Sequence, residues 1–477
     1  MNKPIIIGAG VTLAALGITP YFIGNGIEQN VTDIVTELNK QAVYSANIKS
    51  YQKGWFSTTA EIEIGIDVNS LVAAQQMGNS NLSPEDNPSI TATLVAHHGP
   101  LYFGNGQGIG RAHYTVSING DKLREYAQWD ATKPAYVNEG VIGLFGGISY
   151  TDEIPAMTAT DEESGINFLF SGYKGEATTE GEEVVYKSTG ESLSIGADEF
   201  SVNMKSLSVD MSYAGDLVRA VQGELFDSKM TASVASIEVA GFEPGANVAI
   251  DNLTLVANTD IDNDEKTANV YVEYAIEKLV GPEIDASDMT LGVAINNLST
   301  DFLKAYQDFS NESLMLPADE MTAKMMAFFE DNALSQLTAE PEINITKLSA
   351  TLPEGSFNAH ANTKLVGITA LPETMADIGY WVTHLLADAK VTADKAFAES
   401  VTSGYMVSQI MASPQAQDMT QEEVEAAAKQ QVPMMLDVFT QQGFIKETEG
   451  GYETVVELKD GKANINGTPI PLPFAPQ

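Results

Sequence analysis

Segments in which apolar and polar residues alternate one for one recur from about residue 48 to residue 300. This period of two constrains the fold more than any other feature of the chain. In RAHYTVSI, Ala112, Tyr114, Val116 and Ile118 share one face, while Arg111, His113, Thr115 and Ser117 share the other. In NVYVEYAI, Val270, Val272, Tyr274 and Ile276 alternate with Tyr271, Glu273 and Ala275. ITATLVAH, TASVASIEVA and DNLTLVAN read the same way. Successive strand residues point to opposite sides, so such segments bury one face and wet the other, the habit of antiparallel sheets. No regular helical crossover follows each strand, which argues against a doubly wound α/β fold. The expected class is α+β: an elongated antiparallel β-rich body with interspersed helices, preceded by one N-terminal transmembrane helix.

Helical periodicity appears in fewer places. Ile27, Val31, Ile34, Val35 and Leu38 recur at helical spacing, which predicts an amphipathic helix within 27–47. Short helices are expected at 121–130, 213–224 and 300–311. A longer one at 318–337 places Met321, Met325, Phe328 and Phe329 on a core-facing stripe. Strands return over 343–368, and a second helical block is expected from about 372 to 440. Its last helix opens on Thr420 with Glu423 three residues on, a capping box, and Pro433 should kink or split it. The Asp460–Gly461 pair after TVVEL predicts a terminal hairpin. The expected division is 1–26 membrane anchor, 27–47 juxtamembrane helix, 48–312 β-rich domain and 313–477 α+β region.

Residues 4–23, PIIIGAGVTLAALGITPYFI, carry no charge. Twenty helical residues span about 30 Å, the thickness of a bilayer's hydrocarbon core. Lys3 precedes the run and Glu28, Asp33 and Glu37 follow it, so the amino terminus is expected in the cytoplasm and the body across the membrane. The lack of an Ala-x-Ala pattern near its end favours a retained anchor over a cleaved signal. The net charge of −40 opposes nucleic-acid binding and attachment to anionic lipid through basic patches. With no cysteine, the chain has no disulfide, thiolate metal site or thiol nucleophile.

The sequence assigns no catalytic, metal or cofactor site. GNGQGIG at 104–110 is glycine-rich, but Arg111 opens a strand, whereas a dinucleotide fingerprint opens a helix. His97 and His98 must point to opposite faces, so only one of them can meet His113 across a hairpin. Asp260, Asp262 and Asp264 imitate half a calcium loop, but Glu265 and Tyr271 stand where glycine and glutamate are needed, leaving an acidic turn. No nucleophile–base set is identifiable.

Three segments carry a family pattern: GNGIEQNV at 24–31, YQKGWFSTTAEI at 51–62 and HHGPLYFGNG at 97–106. With them the chain resembles the YdgA-like (DUF945) family of Gram-negative bacterial envelope proteins. Tyr51, Gly54, Phe56 and Ser57 match one element, and His98, Gly99 and Pro100 match another. Read locally, Trp55 and Phe56 fall on opposite faces of a short strand, Gly54 permits a bulge or close approach, and Pro100 sets a turn. The resemblance implies an inner-membrane protein with a periplasmic body, and supplies no catalytic residues. The expected role is non-enzymatic, in envelope assembly, maintenance or protein interaction. The alternatives are an apolar β-sheet groove that binds or transfers lipid or another amphiphile, and a periplasmic hydrolase with a dispersed carboxylate site. The expected partners are the inner membrane through the N-terminal helix, an envelope protein or lipid, and a second copy of the chain.

Overall fold

The computed structural model describes residues 27–40, 44–66, 89–102, 108–162, 164–197, 199–214, 225–241, 246–282, 284–313, 318–413 and 419–472. The apolar run at 4–23, most of the helix expected at 213–224 and most of the glycine-rich loop lie outside these residues. Among the described residues, no helix is long and apolar enough to cross a membrane. They form two compact units. The first takes the chain to Asn247 with Val256–Lys266 and Thr300–Asn332; the second takes Val248–Leu255, Thr267–Ser299 and the chain from Ala333.

The first unit opens with α1 (Ile27–Lys40), which ends seven residues short of the expected limit because β1 (Tyr44–Lys53) has already begun. The Asn39 amide donates to the Ala46 carbonyl and its oxygen accepts from the Ala46 amide, each at 2.8 Å, pinning the reversal. There follow β2 (Ser57–Ile66), β3 (Ser89–His98), β4 (Leu101–Tyr102), β5 (Gly108–Ile109), β6 (Ala112–Ile118), β7 (Tyr136–Ile142) and β8 (Ile148–Ile154). Next come β9 (Met157–Asp161), β10 (Ile166–Phe170), β11 (Tyr173–Glu180), β12 (Glu183–Gly196), β13 (Phe200–Tyr213) and β14 (Ser228–Gly241). Pairing is antiparallel, in the order β1-β2-β3-β6-β7-β8-β11-β12-β13-β14. The β9–β10 hairpin joins β12 beside β11, and β4–β5 forms a separate short ribbon.

Period two dictates what this sheet buries. Val31 and Leu38 of α1 pack with Ile62, Leu94, Tyr114, Val116, Tyr150 and Tyr186 from five strands. Helix α1 is thus part of the core of the unit. The helix expected at 121–130 shrinks to a 3-10 turn, Asp121–Glu125. Arg124 is drawn instead into the loop, where its guanidinium lies 3.9 Å over the Trp129 ring and donates to the Trp129, Asp130 and Lys133 carbonyls. Strand β15 (Val248–Asp262) ends in the acidic turn, where Asp262 accepts from the Asp264 and Glu265 amides. Helices α2 (Thr300–Ser313) and α3 (Ala318–Thr338) meet through Phe328, whose ring lies 5.5 Å from Phe302 and 4.9 Å from Phe309. Of the expected methionine–phenylalanine stripe, Phe328 is buried but Phe329 is exposed.

The second unit contains β16 (Thr267–Val280), β17 (Asp285–Ser299), β18 (Glu342–Leu352), β19 (Gly355–Leu365), α4 (Ile378–His384), β20 (Leu385–Asp394), α5 (Lys395–Met411) and α6 (Gln421–Gln441). It closes with β21 (Lys446–Glu447), β22 (Gly451–Lys459), β23 (Lys462–Ile465) and β24 (Thr468–Ile470). The antiparallel order is β16-β17-β18-β19-β20-β22-β23-β24. The helical block expected over 372–440 is interrupted by β20. Its alanines favour helix locally, but pairing with β19 and β22 on both sides overrides that preference. The capping box at Thr420 and Glu423 forms as expected, and α6 runs through Pro433 without splitting.

Candidate functional site

The seven motif residues share one end of the first unit's sheet. Strand β1 stops at Lys53, so Gly54, Trp55 and Phe56 make the hairpin turn and both aromatic side chains are exposed; they do not occupy opposite faces of a strand. The Gly54 amide closes the turn on the Ser57 carbonyl at 2.7 Å. Phe56 accepts from the His98 amide at 2.8 Å, and His98 Nε2 lies 2.8 Å from the buried Thr58 hydroxyl. The Gly99 amide donates to Arg111 at 2.6 Å, and a Cβ on Gly99 would overlap the Gly110 carbonyl, so the chain passes here only as glycine. Pro100 accepts from the Gly110 amide, and Tyr51 packs against the core. Burial, with Lys53 and His97 nearby, holds the His98 imidazole below its ordinary value and hence neutral at pH 7. These contacts build a platform of backbone bonds. On the face opposite Tyr114, His97 stacks on the buried His113, directly opposite it in register, and His113 bonds Glu139 at 3.0 Å. Among the described residues no three potential ligands gather as a metal site.

A second grouping lies inside the unit. One inward row crosses the strands as Tyr114, Gly140, Tyr150, Ala177 and Tyr186; the next runs Val116, Asn138, Asp152, Gly175 and Ser188. Small residues alternate with tyrosines because each ring leans over its neighbour: a Cβ on Gly140 would strike the Tyr114 ring, and one on Gly175 would strike Asp152 and Tyr186. Asp152 is 4% exposed and accepts from Tyr186 at 3.3 Å and Tyr136 at 3.5 Å. Burial pushes its carboxyl up to about 6, against weaker opposing hydrogen bonds from Tyr136 and its own backbone. A carboxylate this enclosed bears on the stability of the core.

The third feature is one face of the second unit's sheet. Val272, Val293, Ile345, Ala361, Ala389 and Val456 form a transverse row over six strands, and Tyr274, Leu291, Leu348, Ala359 and Val391 form the next. Between Gly292 and Val293 the register skips Thr346, and this irregularity keeps Ile343, Ile345 and Leu348 on the same face. Helix α5 covers one side of it, with Phe397 stacked on Phe357 at 5.0 Å. Over β16–β18 the face stays open among the described residues: Tyr274 is 50% exposed, Ile343 59% and Leu291 38%. The reverse face carries Tyr271, which donates to Glu273 at 2.6 Å. The alternation in β16 was legible in the sequence; the matching registers of five further strands, and the exposure of Tyr274, Leu291 and Ile343 over three of the six, had no local signal.

A family model described as a bacterial protein of unknown function (DUF945) matches residues 1–473, and the chain belongs to that family. Comparison with curated proteins finds no match.

Proposed function

We propose, with membership of the DUF945 family as the premise, that the chain is a membrane-tethered envelope protein that holds the acyl chain of an amphiphile along the open face of its second unit. The body faces the periplasm, the apolar run at 4–23 serves as the inner-membrane anchor, and the role is non-enzymatic, in envelope assembly or maintenance. The observation that carries this reading is the aligned apolar face over β16–β18, with Tyr274, Leu291 and Ile343 left in water. Three open strands at about 4.8 Å spacing give a width of about 10 Å, about two thirds of the hydrocarbon of one leaflet, about 15 Å. Burying about six methylenes there is worth about 5 kcal/mol at about 0.8 kcal/mol each, before the costs of association. A single-layer face of this kind offers no directional polar contacts, so it selects acyl chains as a class.

The test is photo-crosslinking of the full chain in membranes with a phospholipid bearing a diazirine on its acyl chain, mapped by mass spectrometry. Adducts are expected within residues 270–295 and 343–352, and Leu291→Asp should remove most of them while leaving the circular dichroism spectrum unchanged. Adducts spread over the chain, or absent from those strands, would refute the acyl-binding reading.

A further inference from the structure

The end of the first unit that carries the motif residues also exposes six large apolar side chains. Three neighbouring connections there expose Trp55 and Phe56 (β1–β2), Leu101 and Ile109 (the β4–β5 ribbon), and Leu144 and Phe145 (β7–β8). Trp55 is 95% exposed and Phe145 99%. These side chains stand on a braced support. His98 bonds Phe56, Gly99 bonds Arg111, the Arg111 amide donates to Ile142, and its Nε donates to the Leu144 carbonyl at 2.9 Å. Lateral bonds of this kind hold adjacent turns at one level. A cluster of large apolar side chains presented rigidly to solvent marks a contact surface.

The direction of α1 identifies what lies opposite. Only three residues separate Lys40 from Tyr44, and Asn39 is bonded to Ala46, so α1 runs back along β1. Its last turn is therefore at the Tyr44 end and its first residue, Ile27, points toward the Gly54 end. The uncharged run at 4–23 stops three residues before Ile27. The described chain thus begins, at Ile27, toward the same end of the sheet as the six exposed apolar side chains, and the sequence before it holds an apolar run of membrane-spanning length. Tryptophan and other aromatic rings favour the boundary between headgroups and acyl chains. The partner's charge also follows: a chain of net charge −40 is not drawn to anionic headgroups, and the Arg111 guanidinium is engaged on Leu144.

The geometry points to a bilayer-docking platform: Trp55, Phe56, Leu101, Ile109, Leu144 and Phe145 enter the interface of the membrane that holds the N-terminal segment, and stand the β-sheet upright on it. Docking is by apolar insertion and is insensitive to salt. The platform shares the tether with the function proposed above but does not depend on the acyl-binding face.

The experiment uses the full chain reconstituted into phosphatidylcholine vesicles, some with acyl chains brominated near the glycerol end. Three tryptophans are present, Trp55, Trp129 and Trp381, and the apolar run contains none. Brominated lipid should quench about a third of the emission in the wild type, the share of one tryptophan in three, and almost none in Trp55→Phe. Phe145→Trp in the Trp55→Phe background should restore the quenching, and 1 M salt (a Debye length of about 3 Å) should leave it unchanged. Equal quenching in wild type and Trp55→Phe, or no restoration by Phe145→Trp, overturns the proposal. Flotation of the same vesicles separates the two ideas. Protein that floats without Trp55 quenching keeps its tether and lacks the platform; protein that fails to float loses both.

Discussion

Replacing Asp152 with asparagine should stabilise the protein at neutral pH, and the gain should shrink as the pH falls. Asp152 sits on the inward face of β8 between Asn138 and Gly175, 4% exposed, near Tyr136, Tyr186, Tyr150 and Tyr173, and among the described residues no cation pairs with it. Burial raises its carboxyl from 3.8 to about 6 in the folded chain. A folded-state value above the unfolded one means that the folded chain binds the proton more tightly. The stabilisation from this group is therefore complete below about 3.8 and is lost as the pH rises through about 6. The interval between the two values, at about 1.4 kcal/mol per tenfold, corresponds to about 3 kcal/mol forfeited by pH 8. Asparagine is nearly isosteric, can accept from one tyrosine and donate to another, and carries no charge at any pH. Urea unfolding of wild type and Asp152→Asn, followed by tryptophan fluorescence, is the assay, since Trp129 reports on this unit. The variant is expected to be more stable by on the order of 2 kcal/mol at pH 8, with the difference about 1 kcal/mol smaller at pH 5. Taking the difference between the two proteins removes the slopes contributed by other carboxylates. A variant less stable than wild type at pH 8, or a difference that does not change with pH, would show that the buried Asp152 carboxylate does not destabilise the fold.

Three further outcomes follow from packing and local geometry. Gly175→Ala puts a methyl group against Asp152 and Tyr186, and overpacking of this kind should lower stability by about 1–3 kcal/mol, read as a lower urea midpoint at unchanged slope. Thr420→Ala removes the acceptor for the Glu423 amide at the start of α6 and should cost about 1 kcal/mol, seen as faster hydrogen exchange over the first turn of that helix. Pro433→Ala supplies the amide donor that α6 lacks in its interior and should slow exchange along the helix, with a gain of up to about 3 kcal/mol; unchanged exchange would mean that the surrounding turns already absorb the proline.

What the sequence determined by itself was local. Alternation over 112–118 and 270–276 announced strands with one buried face, the spacing of Val31 and Leu38 announced α1, and the Thr420–Glu423 pair announced the start of α6. The terminal turn was legible because Asp460 and Gly461 can both take positive φ, 50° and 70°, which a tight hairpin turn requires. Each of these signals is written in residues within one turn or one strand of each other. The tertiary structure decided everything that depends on a distant partner. Residues 385–394 became a strand because β19 and β22 offered hydrogen bonds on both sides, against the helical preference of their alanines. Gly140 and Gly175 found their meaning only when register set them beside Tyr114 and Asp152. The motif residues at 51–57 and 98–100 became one platform because antiparallel pairing brings the β1–β2 turn and the end of β3 to the same edge of the unit. Whether the apolar side of β16–β18 is covered depends on where α5 packs, and periodicity reports which face is apolar without reporting what, if anything, lies on it.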